Sequence, residues 1–187
     1  MNTQGNLAKP SVVQIKTGSP FFVHAFVDSP ERFVQLFRET VSSLPDDDCG
    51  LITAKWLPLA VRSPFITLSA KPVLRTDDGR CAGVAMTEKE GAWLTFSGAA
   101  FDSVEQDTGR AIIAHELAHV AVFAAIHFDK LDDSERARIQ QARSDHERLI
   151  EFHEESADTL ATSWGFDMAK AHEWVADYLE SRGIETT

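Results

Sequence analysis

Residues 111–126 read Ala-Ile-Ile-Ala-His-Glu-Leu-Ala-His-Val-Ala-Val-Phe-Ala-Ala-Ile. Drawn on a 3.6-residue helix, this stretch is apolar on every face, which marks a helix buried in a core. His115, Glu116 and His119 interrupt it, so it reads as the central helix of a globular domain and not as a membrane span. Asp107 or Thr108 is expected to cap it, and the pattern runs to about Phe128.

Upstream the texture is different. Ser11–Ile15 and Phe21–Val27 are rich in Val, Phe and Ile and are expected to be strands. Ser29-Pro30-Glu31 reads as a helix start, with a hydroxyl cap, proline in the first turn and an acid at the positive end. Phe33, Val34, Leu36, Phe37 and Val41 then form an apolar face at helical spacing. Pro45 and the Asp46-Asp47-Asp48 run are expected to close that helix in a solvated turn. Short β segments follow at Leu51–Val61, Phe65–Leu68, Val73–Thr76, Cys81–Met86 and Trp93–Phe96. Thr76-Asp77-Asp78-Gly79 has the form of a hairpin turn between two of them. Downstream, a charged helical region is expected from Asp132. A helix at Leu149–Trp164, ended by Gly165, and a last helix over Met168–Arg182 complete the chain. Strands first and helices second imply an α+β fold. The expectation is one domain over 1–187, with a loose tail at 1–10, a mainly antiparallel or mixed sheet within 11–100, and a helical part at 101–187.

A chain of 187 residues can bury a proper core, and its 43% hydrophobic and 25% charged content is that of a globular protein. The formal charge is −11, and the acidic excess falls in 101–187, where 8 Lys and Arg face 19 Asp and Glu. Such a surface argues against nucleic acid and against anionic membranes as partners, since both need clustered cations. Cys49 and Cys81 do not make a metal-type pair. The opening residues lack the apolar stretch of a signal peptide, so a cytoplasmic location is expected.

His115-Glu116-Leu117-Ala118-His119 is an HExxH motif. Residues four apart share a helix face, so both imidazoles can reach one ion, and Glu116 stands beside them. Zinc held there would lower the pKa of a water and polarise a carbonyl, while the Glu116 carboxylate takes the proton. Without a partner, two His and a Glu in an apolar core would cost about 1–3 kcal/mol per unsatisfied group. A metal satisfies all three at once.

A catalytic zinc takes a third protein ligand and keeps one open position. Downstream lies His153-Glu154-Glu155-Ser156-Ala157-Asp158, on an expected helix. Together the two motifs resemble the gluzincins, whose third ligand is a Glu on a later helix, often within ExxAD. Glu154, Ala157 and Asp158 match that pattern. The resemblance implies a zincin-like fold, one Zn2+ per chain and Glu154 as third ligand. Small Ala157 would let the two helices approach, and Asp158 could accept the outer N–H of a ligating imidazole. Glu155 points about a third of a turn away, whereas His153 or His146 could ligate in place of Glu154.

The resemblance spans roughly Asp107–Gly165. It is nearest in style to small ImmA/IrrE-like peptidases and to the soluble cores of CAAX-type proteases. Ala118 stands where ImmA/IrrE relatives usually carry Gly. The third-ligand His and basic surface of SprT-type proteases are absent, and Val122 and Phe123 rule out the extended metzincin motif.

In zincins the substrate often lies along an edge strand before the HExxH helix, and Trp93, Leu94, Thr95 and Phe96 are correctly placed for that. An oxyanion-stabilising residue is left open among Tyr178, His153 and His172, with packing favoured for Tyr178. His24, His127 and His172 show no partner pattern and are expected to be structural or exposed. The expected activity is zinc-dependent hydrolysis of a protein or peptide, with Glu116 as general base. The alternative is a metal-bearing regulatory or protein-interaction module.

Overall fold

The computed structural model describes residues 11–13, 21–53, 65–76, 79–81, 83–88, 91–127, 132–142 and 145–184. Its strands are β1 (Ser11–Val13), β2 (Phe21–Ala25), β3 (Phe65–Ser69), β4 (Leu74–Thr76), β5 (Gly79–Cys81), β6 (Gly83–Glu88) and β7 (Gly91–Ser97). Its helices are α1 (Glu31–Ser43), α2 (Asp46–Ile52), α3 (Gly98–Ser103), α4 (Gln106–His127), α5 (Asp133–Ala142), α6 (His146–Ser163) and α7 (Met168–Glu180). The chain is α+β, with its helices concentrated after Ser97.

The sheet runs β1-β2-β3-β7-β6. It is mixed, and its centre is parallel, which corrects the mainly antiparallel expectation. Strand β3 pairs in parallel with β2 and with β7, while only the outer pairs, β1 with β2 and β6 with β7, are antiparallel. The reason lies in the connections. Helices α1 and α2 separate β2 from β3, and β4 to β6 separate β3 from β7, so each long link returns the chain to start the next strand in the same direction.

Strand β7 is an interior strand, which overturns its expected place at the edge. Trp93 and Leu94 pair with Phe65 and Ile66 on one side and with Met86 and Ala85 on the other. Its main-chain groups are committed to those neighbours. Among the described residues, β6 takes that edge of the sheet.

One face of the sheet is buried. Phe21, Val23, Ala25, Ile66, Leu68, Leu94 and Phe96 point into the core, while the alternating His24, Thr67, Trp93 and Thr95 are half-buried. Helix α1 lays Phe33, Leu36, Phe37, Thr40 and Val41 into this core. Phe33 meets Phe37, Phe96 and Phe101, the last edge-on at 4.9 Å between centroids.

Several element ends differ from expectation. Pro30, not Ser29, occupies the N-cap position of α1, without a side-chain cap. The Asp triplet opens α2 instead of a turn, because three carboxylates in a first turn face the positive end of the helix. Asp48 also accepts a hydrogen bond from Trp164 Nε1 at 2.8 Å, tying α2 to the end of α6. The strand expected over Leu51–Val61 begins inside α2, and 54–61 lies outside the described residues, as does the tail at 1–10. The segment expected over Cys81–Met86 is divided, since β5 pairs back on β4 with Thr76 opposite Gly79. Helix α3 had no counterpart in the sequence reading; Ser97 caps it by accepting from the Ala100 N–H. Gly165 behaves as expected, closing α6 at φ 90° with Phe166 N–H reaching back to the Ala161 carbonyl.

Helix α4 is the centre of the fold. It packs against α1, α2, α6 and α7 and against β6 and β7. Gln106–Ile126 is long and apolar enough to cross a membrane, but 72% of that window is buried inside the protein. Asp107 falls within its first turn, not at its cap.

Candidate metal centre

Because the middle of α4 is surrounded, the polar residues there face other elements of the fold. His115 and His119 are adjacent on one face, with side chains 12% and 15% exposed. Their Nε2 atoms lie 3.0 Å apart, with the rings nearly perpendicular at 86°. Glu116 is buried beside them at 6% exposure.

Helix α6 supplies the opposing groups. Asp145 caps it, its carboxylate accepting from the N–H groups of Glu147 and Arg148. Ala157 and Ala161 are fully buried, as are Ala114 and Ala118 of α4, so two faces of small residues allow a close approach. Glu154, Ala157, Asp158 and Ala161 share one face of α6, and this phase carries Glu154 and Asp158 to the histidines. Glu154 Oε2 lies 3.3 Å from His115 Nε2, and Glu154 Oε1 lies 3.4 Å from His119 Nε2.

Two of the rival ligands, Glu155 and His153, stand outside this donor group. Glu155 turns to α5, where its carboxylate meets Arg138 at 2.6 Å. His153 is half-buried with its ring edge against Phe152 and takes no part in the converging donors. The side chains of His146 and His127 lie outside the described residues.

Asp158 accepts from His115 Nδ1 at 2.9 Å. This fixes the His115 proton on Nδ1 and turns Nε2 toward His119 and Glu154. Unexpected is His172 of α7, whose Nε2 lies 2.9 Å from both Asp158 oxygens. His172 is exposed, as expected, but it also has a partner in Asp158. A signal was present: His172 falls in phase with Met168, Ala171, Val175 and Leu179, on the inward side of α7.

Electrostatics inside the cluster are uneven. Burial opposes charge on His115, but hydrogen bonds to Asp158 and Glu154, with the charges of Glu116 and Glu154, raise its pKa to about 10. Burial, and then the charge on His115, push His119 down to about 4. The pair thus holds one proton over the neutral range. Burial works to raise Glu154 and Asp158, yet the imidazoles around them hold both below their ordinary values. Burial lowers His153.

His115, His119 and Glu154 form a donor group that could hold a metal ion, and His115, Asp158 and His172 form another. The two share His115, through opposite nitrogens. In the second group the 2.9 Å contacts are hydrogen bonds between imidazole N–H and carboxylate, which makes it a support for the first. Tyr178, the one tyrosine of the chain, donates to the Pro72 carbonyl at 2.7 Å and stacks on Trp174, a packing role as expected. No family model matches this chain, and neither a curated protein nor a solved structure matches it.

Proposed function

We propose that this chain is a zinc-dependent peptidase of gluzincin type, with one Zn2+ held by His115, His119 and Glu154 and with Glu116 as general base. The supporting observation is the spacing of the three donors. Nitrogen and oxygen ligands about 2.0–2.1 Å from a tetrahedral ion stand about 3.3 Å apart. Here the two Nε2 atoms stand 3.0 Å apart, and the Glu154 carboxylate brings Oε2 to 3.3 Å from His115 and Oε1 to 3.4 Å from His119. Three protein ligands leave a fourth position for the reaction.

Zinc bound there supplies a water of lowered pKa and a Lewis acid for the scissile carbonyl. Glu116 would accept a proton from the attacking water and pass it to the leaving amine. Asp158, by accepting from His115 Nδ1–H, would leave Nε2 as the nitrogen available to a metal. The substrate is a protein or peptide in extended form. Strand β6, the edge nearest α4 among the described residues, takes it by main-chain pairing, with β7 beside it on the inner side of the sheet. A cytoplasmic location fits this reading.

The test is zinc uptake by purified chain, followed by hydrolysis of a broad peptide library with Glu116→Gln alongside. Cleavage by the wild type alone supports the peptidase. Zinc bound without cleavage moves the assignment to a metal-bearing regulatory or interaction module. Failure to bind zinc overturns both.

A further inference from the structure

We propose that His172 is a positioning residue of the metal centre, acting through Asp158, and that it couples the docking of α7 to metal binding. The inference rests on the metal-site reading above and goes beyond its ligand set.

The Asp158 side chain is 36% exposed. A carboxylate so placed on a helix surface has solvent-facing rotamers available to it, and one hydrogen bond to His115 is a weak restraint against them. The second restraint comes from a different helix. His172 Nε2 is 2.9 Å from Oδ1 and 2.9 Å from Oδ2, so it grips the whole carboxylate. Its ring stands nearly perpendicular to that of His115, 83° apart with 5.6 Å between centroids. Asp158 is thereby held between α4 and α7, and its Oδ1 stays on the His115 Nδ1–H.

The helix that presents His172 is itself anchored. Asp167 caps it by accepting from the Lys170 N–H. Met168, Ala171, Tyr178 and Leu179 bury its inner face, and Lys170 meets Glu105 at 2.7 Å. The imidazole of His172 is 53% exposed, so its packing contribution is small. Its geometric contribution is to fix the outer partner of a ligand. A metal on His115 would be linked through Asp158 and His172 to α7, which would make the two equilibria reciprocal: whatever strengthens metal binding through Asp158 strengthens the docking of α7, and the reverse.

Competition for zinc with a chromophoric chelator tests this on the full chain. His172→Ala is expected to weaken zinc binding about 10-fold, at the lower end of losses for outer partners of metal ligands. His172→Gln, whose amide N–H can reach Asp158, is expected to restore most of that loss. In an Asp158→Ala background, His172→Ala should add nothing, because the route is gone. Hydrogen exchange gives a readout independent of affinity: zinc should slow exchange of α7 amides in the wild type and have little such effect in His172→Ala. An unchanged zinc affinity in His172→Ala, or an equal loss in the Asp158→Ala background, overturns the proposal while leaving the metal site standing. A wild-type chain that takes up no zinc overturns both.

Discussion

His115 and His119 bring their Nε2 atoms to 3.0 Å across one turn of α4, and the Glu154 carboxylate faces both from α6, Oε2 toward His115 and Oε1 toward His119. Two imidazole nitrogens this close repel through their lone pairs unless a proton or a cation lies between them. The chain is expected to bind one zinc, and His115→Ala or His119→Ala to lose it. Elemental analysis of gently purified protein checks this; no transition metal, even after zinc addition, would refute it.

Glu154 and Glu155 are neighbours in sequence with opposite fates. Glu154→Ala should weaken zinc binding strongly. Glu155→Ala should leave it nearly unchanged, since that carboxylate is paired with Arg138 at the exposed junction with α5. His153→Ala should also retain the metal. Zinc titrations of the three variants decide it, and metal loss in His153→Ala with retention in Glu154→Ala would reverse the ligand assignment.

Glu116→Gln should keep fold and metal while turnover falls by about 10²–10⁴, the usual scale of general-base catalysis. The amide is nearly isosteric but cannot take a proton. Near-normal turnover in this variant, with zinc content unchanged, would remove Glu116 from that role.

The histidine pair sets a pH dependence for the metal-free protein. His115 is raised from 6.5 to about 10, so its contribution to stability is full below 6.5 and is lost as pH rises through about 10. His119 is lowered to about 4, so as pH falls from 6.5 toward 4 the unfolded chain takes up a proton that the folded chain refuses. Both arms fall away from a maximum near 6.5. Zinc replaces the shared proton, and the alkaline arm should flatten in the loaded protein. Tm against pH with and without zinc measures this. A metal-free Tm that climbs steadily into the alkaline range would contradict it.

Gly98 opens α3 where the chain turns from β7. A Cβ built there would lie 2.5 Å from Val27 Cγ1 and 3.2 Å from the Ser69 carbonyl oxygen. Gly98→Ala is expected to cost about 1–3 kcal/mol by overpacking. Val27→Ala in the same chain should recover part of it. Denaturant unfolding gives the values, and a Gly98→Ala as stable as wild type would show that Val27 moves aside freely.

Helix α4 was legible because an all-round apolar run admits one environment, and polar residues four apart within it admit few partners. The same local logic placed Glu154 and Asp158 on one face of α6 and marked the Gly165 stop. Sheet order was not legible. The alternation in β7 reports one buried face, and both an edge strand and an interior strand show it, because side-chain pattern says nothing about which neighbours take the main-chain hydrogen bonds. The Asp46–Asp48 run was misread for a related reason, as acidity suits a solvated turn and a helix start equally. His172 shows the limit most clearly. Its phase on α7 was in the sequence, but its meaning depends on where α7 docks, and that is decided by packing against α4. By itself, then, the sequence determined the buried motif helix, the one face of α6 that Glu154 and Asp158 share and the α+β order of elements, since these follow from periodicity along one segment. Tertiary structure alone decided the parallel centre of the sheet, the interior place of β7 and the meeting of His172 with Asp158, since these depend on contacts between segments far apart in the chain.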